Sequence, residues 1–409
     1  MGRFVDLNYE PKENDLIVKF YLEARDLEKA VDAVCEESSI GTWTKVTTMN
    51  ERIWEMRARA FKIEKLSENS AIIEVAYPSI LFERGNMAQI LSSIAGNIFG
   101  MKILDNLRLL EVNLPRDLLK SFKGPKFGIQ GVREILKIYD RPLLGSIVKP
   151  KIGLSSDEHA RAAYEAWVGG VDIVKDDENL TNQDFNKFEE RVVKTLKMLE
   201  KAEEETGERK AYLPNVTAET KEMLRRARFV KDNNGTYVMV DIITCGASAV
   251  QTLREENEDL GLVIHAHRAG HAALDRNEKH GISMKAIAQI FRAIGVDQLH
   301  VGTVVGKMVS PKEEVLGTVE ALIKSGVHKP VFPVASGGLH PGLVPDLVKI
   351  FGKDVIIQAG GGIWGHPMGG KAGARAMRKA IEATLNGKSL EEAAKESKEL
   401  EVALEKWKS

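Results

Sequence analysis

From Leu143 onward, short apolar runs alternate with longer amphipathic stretches eight times over, and this alternation constrains the fold more than any other feature of the chain. The runs are Leu143 to Lys149, Val171 to Lys175, Tyr212 to Val216, Tyr237 to Ile242, Leu262 to His265, Gln298 to Val301, Val331 to Val334 and Val355 to Gln358. Each is apolar on both faces, as strands buried in a parallel sheet are, and parallel strands need a crossover between them. Helical patterns fill the gaps, for example Glu158 to Trp167, Phe185 to Glu205, Met284 to Ile294 and Ala372 to Asn386. Eight such units in succession predict an α/β fold whose C-terminal part is a (β/α)8 TIM barrel, with Leu390 to Trp407 as extra helix on its outside.

The chain before the barrel has a different rhythm. Leu16 to Leu22, Phe61 to Lys65, Ala71 to Tyr77 and Leu107 to Leu114 read as strands, with helices over Leu27 to Glu37 and Met87 to Ile98. That order, βαββαβ, predicts an N-terminal ferredoxin-like α+β domain with helices on one face of an antiparallel sheet. Gly124-Pro-Lys-Phe-Gly128 punctuates the chain, giving expected domains of 1–123 and 124–409. At 409 residues there is room for both. A formal charge of −1 gives no field to recruit nucleic acid or an anionic membrane, so neither is expected as a partner. Cys35 and Cys245 stand alone in no ligand spacing, which together with the lack of a signal pattern leads us to expect a cytoplasmic protein without disulfides.

Barrel enzymes carry their chemistry at the carboxyl ends of the strands. Here strand one ends in Lys149-Pro-Lys151, strand two in Lys175-Asp-Asp-Glu178, strand five in His265-Ala-His267-Arg268, strand six at His300, strand seven in Ser336-Gly-Gly338 and strand eight in Gly360-Gly-Gly362. Asp177 and Glu178 offer the oxygen ligands that Mg2+ prefers, but an ammonium among them would repel the ion. Carbamylation of Lys175 by CO2 would turn that cation into an anionic oxygen ligand; simple salt bridging is the competing reading. His265 and His267 are two apart and share a face, yet Arg268 opposes a metal there, so His267 reads as a proton-transfer or substrate-binding group, with a merely hydrogen-bonded histidine as the competing reading. Glycine-rich turns after strands seven and eight are the usual phosphate cradle of this fold, though each could be an ordinary turn. Gly302-Thr-Val-Val-Gly306-Lys307 lacks the spacing and hydroxyl of a P-loop and reads as a hinged loop carrying one lysine.

In this setting the chain resembles the large subunit of ribulose-1,5-bisphosphate carboxylase/oxygenase (Rubisco). The resemblance rests on Gly145-Ser-Ile-Val-Lys-Pro-Lys-Ile-Gly-Leu154, Gly169-Gly-Val-Asp-Ile-Val-Lys-Asp-Asp-Glu-Asn179, His265-Ala-His-Arg268, His300-Val-Gly-Thr-Val-Val-Gly-Lys307, Ala335-Ser-Gly-Gly338 and Gly360-Gly-Gly-Ile-Trp-Gly-His-Pro367. Glu37-Ser-Ser-Ile-Gly-Thr-Trp-Thr44 and Gly96-Asn-Ile-Phe-Gly100 extend it into the N-terminal part, and Phe332 to Leu343 is similar to the archaeal form III branch. The resemblance implies Lys175 as the carbamylated lysine that with Asp177 and Glu178 holds one Mg2+, activated by CO2. It implies Lys149 as the base, assisted by Lys151 and His267, and Lys307 as a transition-state cation on a lid. Arg268, His300 and Ser336 would take one phosphate of ribulose 1,5-bisphosphate; Thr42, Trp43, Gly337, Gly338, Gln358, Gly360 and Gly361 would hold the rest. Glu37 and Asn97 would reach into a neighbouring subunit's site, implying a homodimer or a ring of dimers without a small subunit. The implied reaction adds CO2 and water to give two 3-phosphoglycerate, with O2 as a competing substrate, in nucleotide salvage or a related carbon pathway.

Met308-Val-Ser310 stands where many members have an acid and a glycine, Gly270 where a methionine is usual, Ala247 where archaeal members have tryptophan, and Ile147 where plant-type members have threonine. The alternative is a Rubisco-like protein, an enolase or isomerase of a methylthio sugar phosphate; the presence of Lys149, Lys175, His267, Arg268, His300 and Lys307 together argues against it. A silent binding protein would need no paired phosphate cradles around a metal cluster.

Overall fold

The computed structural model describes residues 4–305 and 311–408. In chain order its strands are β1 (Asp15–Glu23), β2 (Arg59–Lys65), β3 (Ser70–Pro78), β4 (Asn106–Asn113), β5 (Leu143–Ile147), β6 (Ile173–Lys175), β7 (Ala211–Leu213), β8 (Tyr237–Asp241), β9 (Val263–His267), β10 (Gly281–Ile282), β11 (Gln298–His300), β12 (Phe332–Ser336) and β13 (Ile356–Ala359). They form two compact units, one built on residues 1–124, 270–295 and 325–328, the other on 125–269, 296–324 and 329–409. None of the helices among the described residues is long and apolar enough to cross a membrane.

In the first unit the sheet runs β10-β4-β1-β3-β2, and the four long strands are all antiparallel. β4-β1-β3-β2 is the order that a βαββαβ chain produces, as the alternation predicted. Leu16, Val18, Phe20 and Leu22 alternate along β1 and are fully buried, each contributing about 1.5–3 kcal/mol by leaving water. Residues 270–295 return to this unit. β10 pairs in parallel with β4, and Ser283 caps the helix Met284–Ile294 while its hydroxyl donates to Leu110 O at 2.6 Å. From sequence that helix reads as a crossover between barrel strands; Gln289 Oε1 accepts from Val112 N at 2.8 Å and ties it to β4. The turn into β10 requires glycine, since a Cβ on Gly281 would lie 1.9 Å from Leu274 O.

In the second unit all eight predicted barrel strands are present, all parallel, in the order β7-β6-β5-β13-β12-β11-β9-β8. The ring closes between the end strands, where Asn215 bridges Met239 and Val216 N donates to Met239 O at 3.0 Å. Leu143, Ile173, Ala211, Tyr237, Val263, Phe332 and Ile356 fill the interior toward the amino ends. Helices Ser156–Val168, Phe188–Thr206 and Gly370–Leu385 follow the expected crossovers. A two-residue period along each strand therefore alternates core and outer layer until the strands end, and the inward positions beyond the apolar fill are the polar ones.

Candidate active site

On β6 the inward side chains are Ile173 and then Lys175. Lys175 is 1% exposed. Its Nζ donates to Asp176 O at 2.9 Å, lies 3.4 Å from Met239 Sδ and is 3.9 Å from Glu178 Oε2. Burial lowers its pKa, and the charges of Glu178, Asp177 and Asp241 only partly offset this. Asp177, fully buried, accepts from Lys149 Nζ at 2.7 Å through Oδ2 and from Asn179 N at 3.1 Å through Oδ1. Burial alone would raise its pKa; the Lys149 ammonium and the Asn179 amide outweigh that and leave it lowered. Lys151 Nζ is 3.7 Å from Glu178 Oε1. Lys149, Lys151, Lys175, Asp177 and Glu178 thus form one cluster at the carboxyl ends of β5 and β6.

The histidines meet on the opposite strands. His267 Nδ1 is 3.0 Å from Asp241 Oδ1 and its Nε2 is 3.8 Å from Glu178 Oε2, so it faces the carboxylate cluster. Its ring packs edge-on at 4.8 Å against that of His300. His265, the second member of the pair on β9, points the same way but deeper, 2.8 Å from His300 Nε2. Burial lowers the pKa of all three, that of His265 to about 3, although Asp241 partly restores His267. The three rings are therefore neutral near pH 7. His300 Nδ1 is 2.8 Å from Ser336 Oγ, and half-buried Arg268 adds positive charge beside His300.

Gly337 and Gly338 follow with φ of 117° and 66°, a backbone path closed to most side chains. Gly360 lies so near Lys149 that a Cβ there would be 3.3 Å from Lys149 Cε, while Gly361 has open space around it. Gln358 points inward on β13 at 1% exposure, and neither polar atom of its side chain has a partner. In the first unit Asn97 Nδ2 is 3.5 Å from Glu37 Oε1, Thr42 is half-buried and Trp43 is 91% exposed. Lys307, like Met308, Val309 and Ser310, lies outside the described residues.

Several supporting residues escape a reading of the sequence. Asp176, the middle acid of the run, points outward, where it meets Tyr212 OH at 2.7 Å, Asn215 N at 2.9 Å, Arg191 Nε at 3.1 Å and His159 Nε2 at 3.1 Å. Strand alternation is the signal that separates it from Lys175 and Asp177. Asn215 Nδ2 then donates to the carbonyls of Asp177 and Glu178 at 3.4 and 3.2 Å, holding the acidic loop from behind. Asp241 closes the apolar strand β8 and orients His267; a lone acid in an apolar run carried no sign of that partner.

Among the described residues no group of three or more His, Cys, Asp or Glu is arranged to hold a metal. Asp177 and Glu178 are one oxygen ligand short, and a carbamate on buried Lys175 would supply it, so the donor set fits Mg2+ once that lysine is modified.

A closed parallel barrel with lysines, carboxylates and neutral histidines converging at the carboxyl ends of its strands is the architecture of a TIM-barrel enzyme. The chain belongs to the ribulose bisphosphate carboxylase large chain family: the catalytic-domain model matches residues 128–407 and the N-terminal-domain model residues 3–118. A protein of Methanocaldococcus jannaschii named ribulose bisphosphate carboxylase is 55% identical, covering 99% of this chain and 100% of its own. One of the same name from Pyrococcus abyssi is 53% identical over 99% of this chain and 96% of its own. Among solved structures, octameric Rubisco from Pyrococcus horikoshii superposes with a TM-score of 0.95 at 51% identity, covering 98% and 96% of the two chains. Dimeric archaeal Rubisco from Hyperthermus butylicus gives 0.92 at 44% identity, covering 99% and 98%.

Proposed function

We propose that this chain is a ribulose 1,5-bisphosphate carboxylase, joining CO2 to the enediolate of its substrate and adding water to give two 3-phosphoglycerate, with O2 as a competing electrophile. The observation that carries the reading is the buried Lys175, its pKa lowered, beside Asp177 and Glu178, with Lys149 on Asp177 at 2.7 Å. A neutral amine attacks CO2 and loses a proton to become a carbamate. Lys175, Asp177 and Glu178 would then hold Mg2+, which when bound supplies charge stabilisation for the enediolate oxygens.

The remaining steps fall to the chain's own groups. Lys149, 29% exposed on its side chain, reaches the open side of the cluster and would move the proton at the substrate carbon. His267, neutral and held by Asp241, would accept or return a second proton. Arg268, His300 and Ser336 would bind one phosphate; the amides of Gly337, Gly338, Gly360 and Gly361 would cradle the other, while Gln358 would line the substrate's side of β13. Lys307 would bring a further cation to the developing carboxylate. Glu37 and Asn97 would serve the site of a second copy, so that the working unit is a homodimer or a ring of dimers, built without a small subunit in the cytoplasm.

The test is ribulose bisphosphate-dependent incorporation of labelled CO2 into 3-phosphoglycerate, after incubation with CO2 and Mg2+. Lys175→Ala should abolish it. Enolisation of a methylthio sugar phosphate without CO2 incorporation would instead favour the Rubisco-like reading.

A further inference from the structure

Behind Ser336 a single file of hydrogen bonds runs back into the barrel. Gln298 Oε1 meets His265 Nδ1 at 2.7 Å, His265 Nε2 meets His300 Nε2 at 2.8 Å, and His300 Nδ1 meets Ser336 Oγ at 2.8 Å. The four residues come from adjacent strands β9, β11 and β12, with Gln298 in register with His265. His265 and Gln298 are both 0% exposed, and the proposed chemistry uses neither.

Such a file has one direction at a time. Burial keeps both imidazoles neutral, and a neutral ring has one donor and one acceptor nitrogen. With the Gln298 oxygen facing His265, His265 Nδ1–H donates to it, His300 Nε2–H donates to His265, and the Ser336 hydroxyl donates to His300. The serine proton is then turned inward, and an anion at Ser336 meets only lone pairs. A half-turn of the Gln298 amide, with each ring losing its proton from one nitrogen and regaining one on the other by exchange with solvent, reverses every bond, so that Gln298 Nε2 donates and Ser336 is freed to donate outward; each ring keeps one proton throughout. In the arrangement observed Gln298 Nε2 is buried without a partner; after the turn its oxygen would be the unpaired atom. One amide atom is orphaned either way, which makes the two directions similar in cost. An anion binding one direction better than the other then selects it.

We propose that Gln298 and His265 are positioning residues that set the direction of hydrogen bonding through His300, and that a bound phosphate group turns the file so that Ser336 donates to it. This rests on the reading of Ser336 as a phosphate contact.

Neutron diffraction from crystals of the full chain, grown with and without inorganic phosphate, reads the ring protons directly. The expected result is that the protonated nitrogen changes from Nδ1 to Nε2 on His265 and from Nε2 to Nδ1 on His300 when phosphate is present. In solution, Gln298→Met should raise the Kd for inorganic phosphate and the KM for the bisphosphate by about tenfold with kcat within about threefold. Gln298→His, which restores one donor and one acceptor, should return both to within about threefold of the parent. Phosphate bound at Ser336 with unchanged ring protons, or a folded Gln298→Met protein with parental Kd and KM, overturns the inference and leaves the phosphate site standing. Failure of the parent to bind phosphate overturns both. If the methionine variant does not fold, the diffraction comparison decides alone.

Discussion

Lys149 Nζ lies 2.7 Å from Asp177 Oδ2, so the lysine proposed to move the substrate's proton holds, as an ammonium, the carboxylate proposed as a metal ligand. The pair has a clear electrostatic logic. Burial would favour a protonated, neutral Asp177; the ammonium and the Asn179 amide reverse that and keep it ionised, ready to ligate. The same contact places the Lys149 side chain at the edge of the carboxylate cluster.

Replacement of that amine separates its two roles. In Lys149→Met, carboxylation kcat should fall by about 10²–10⁴, the usual weight of one general base, while bisphosphate binding measured by calorimetry changes by a few-fold at most. Turnover within tenfold of the parent would remove Lys149 from the proton chemistry.

Activation should report the Lys175 amine. Its pKa is held below the ordinary 10.5 because burial penalises the ammonium more than Glu178 and Asp177 restore it. The neutral, CO2-reactive form is therefore populated at lower pH than on a free lysine. The rate of activation during incubation with CO2, measured against pH by later assay under one fixed condition, should rise and then level off below 10.5. A rate that keeps climbing tenfold per pH unit up to that value would mean an ordinary surface amine.

Asp176 offers a stability test that turns on sign. Burial pushes its pKa up, but Arg191, His159 and the Asn215 amide hold it well below 3.8. A depressed folded pKa contributes stability above the unfolded value that is lost as pH falls through the folded one. Asp176→Asn leaves the Arg191 guanidinium, 0% exposed, without its charge partner, and should cost about 3–5 kcal/mol near neutral pH. The gap between parent and variant in chemical denaturation should narrow below pH 3.8; a gap independent of pH would mean that packing, not charge, explains the loss.

What the sequence made legible was whatever announced itself within one strand. Lys175 to Glu178 stood out because an apolar run stops abruptly in charge, and the eightfold alternation placed that stop at a barrel mouth. Asp241 and Asn215 did not stand out, because their importance comes from neighbours one strand away: β8 brings Asp241 to His267, and the closure at Asn215 and Met239 brings Asn215 behind the acidic loop. Gln298 was hidden in the same way, as one polar residue opening a short strand. The return of residues 270–295 to the first unit was also silent, since a two-residue strand such as β10 has too few positions to display a period.

Assembly supplies the last prediction, and it starts from Glu37 and Asn97. Their side chains approach to 3.5 Å across the end of the helix Leu27–Glu37 and the turn Asn97–Gly100, forming one polar patch on the first unit. If that patch completes the site of a second copy, each site draws on two chains, and a lesion in the patch damages a different site from a lesion in the barrel. Glu37→Gln and Lys175→Ala should each be inactive alone. Mixed under conditions that exchange subunits, they form hybrid dimers in which one site carries both lesions and the other neither. Random exchange then leaves half of the dimers hybrid with one intact site each, so roughly a quarter of the parental activity should return. The measurement is labelled CO2 incorporation by the mixture, with exchange verified by native mass spectrometry. If hybrids form and the mixture stays inactive, each site carries one of the two lesions and Glu37 serves its own barrel.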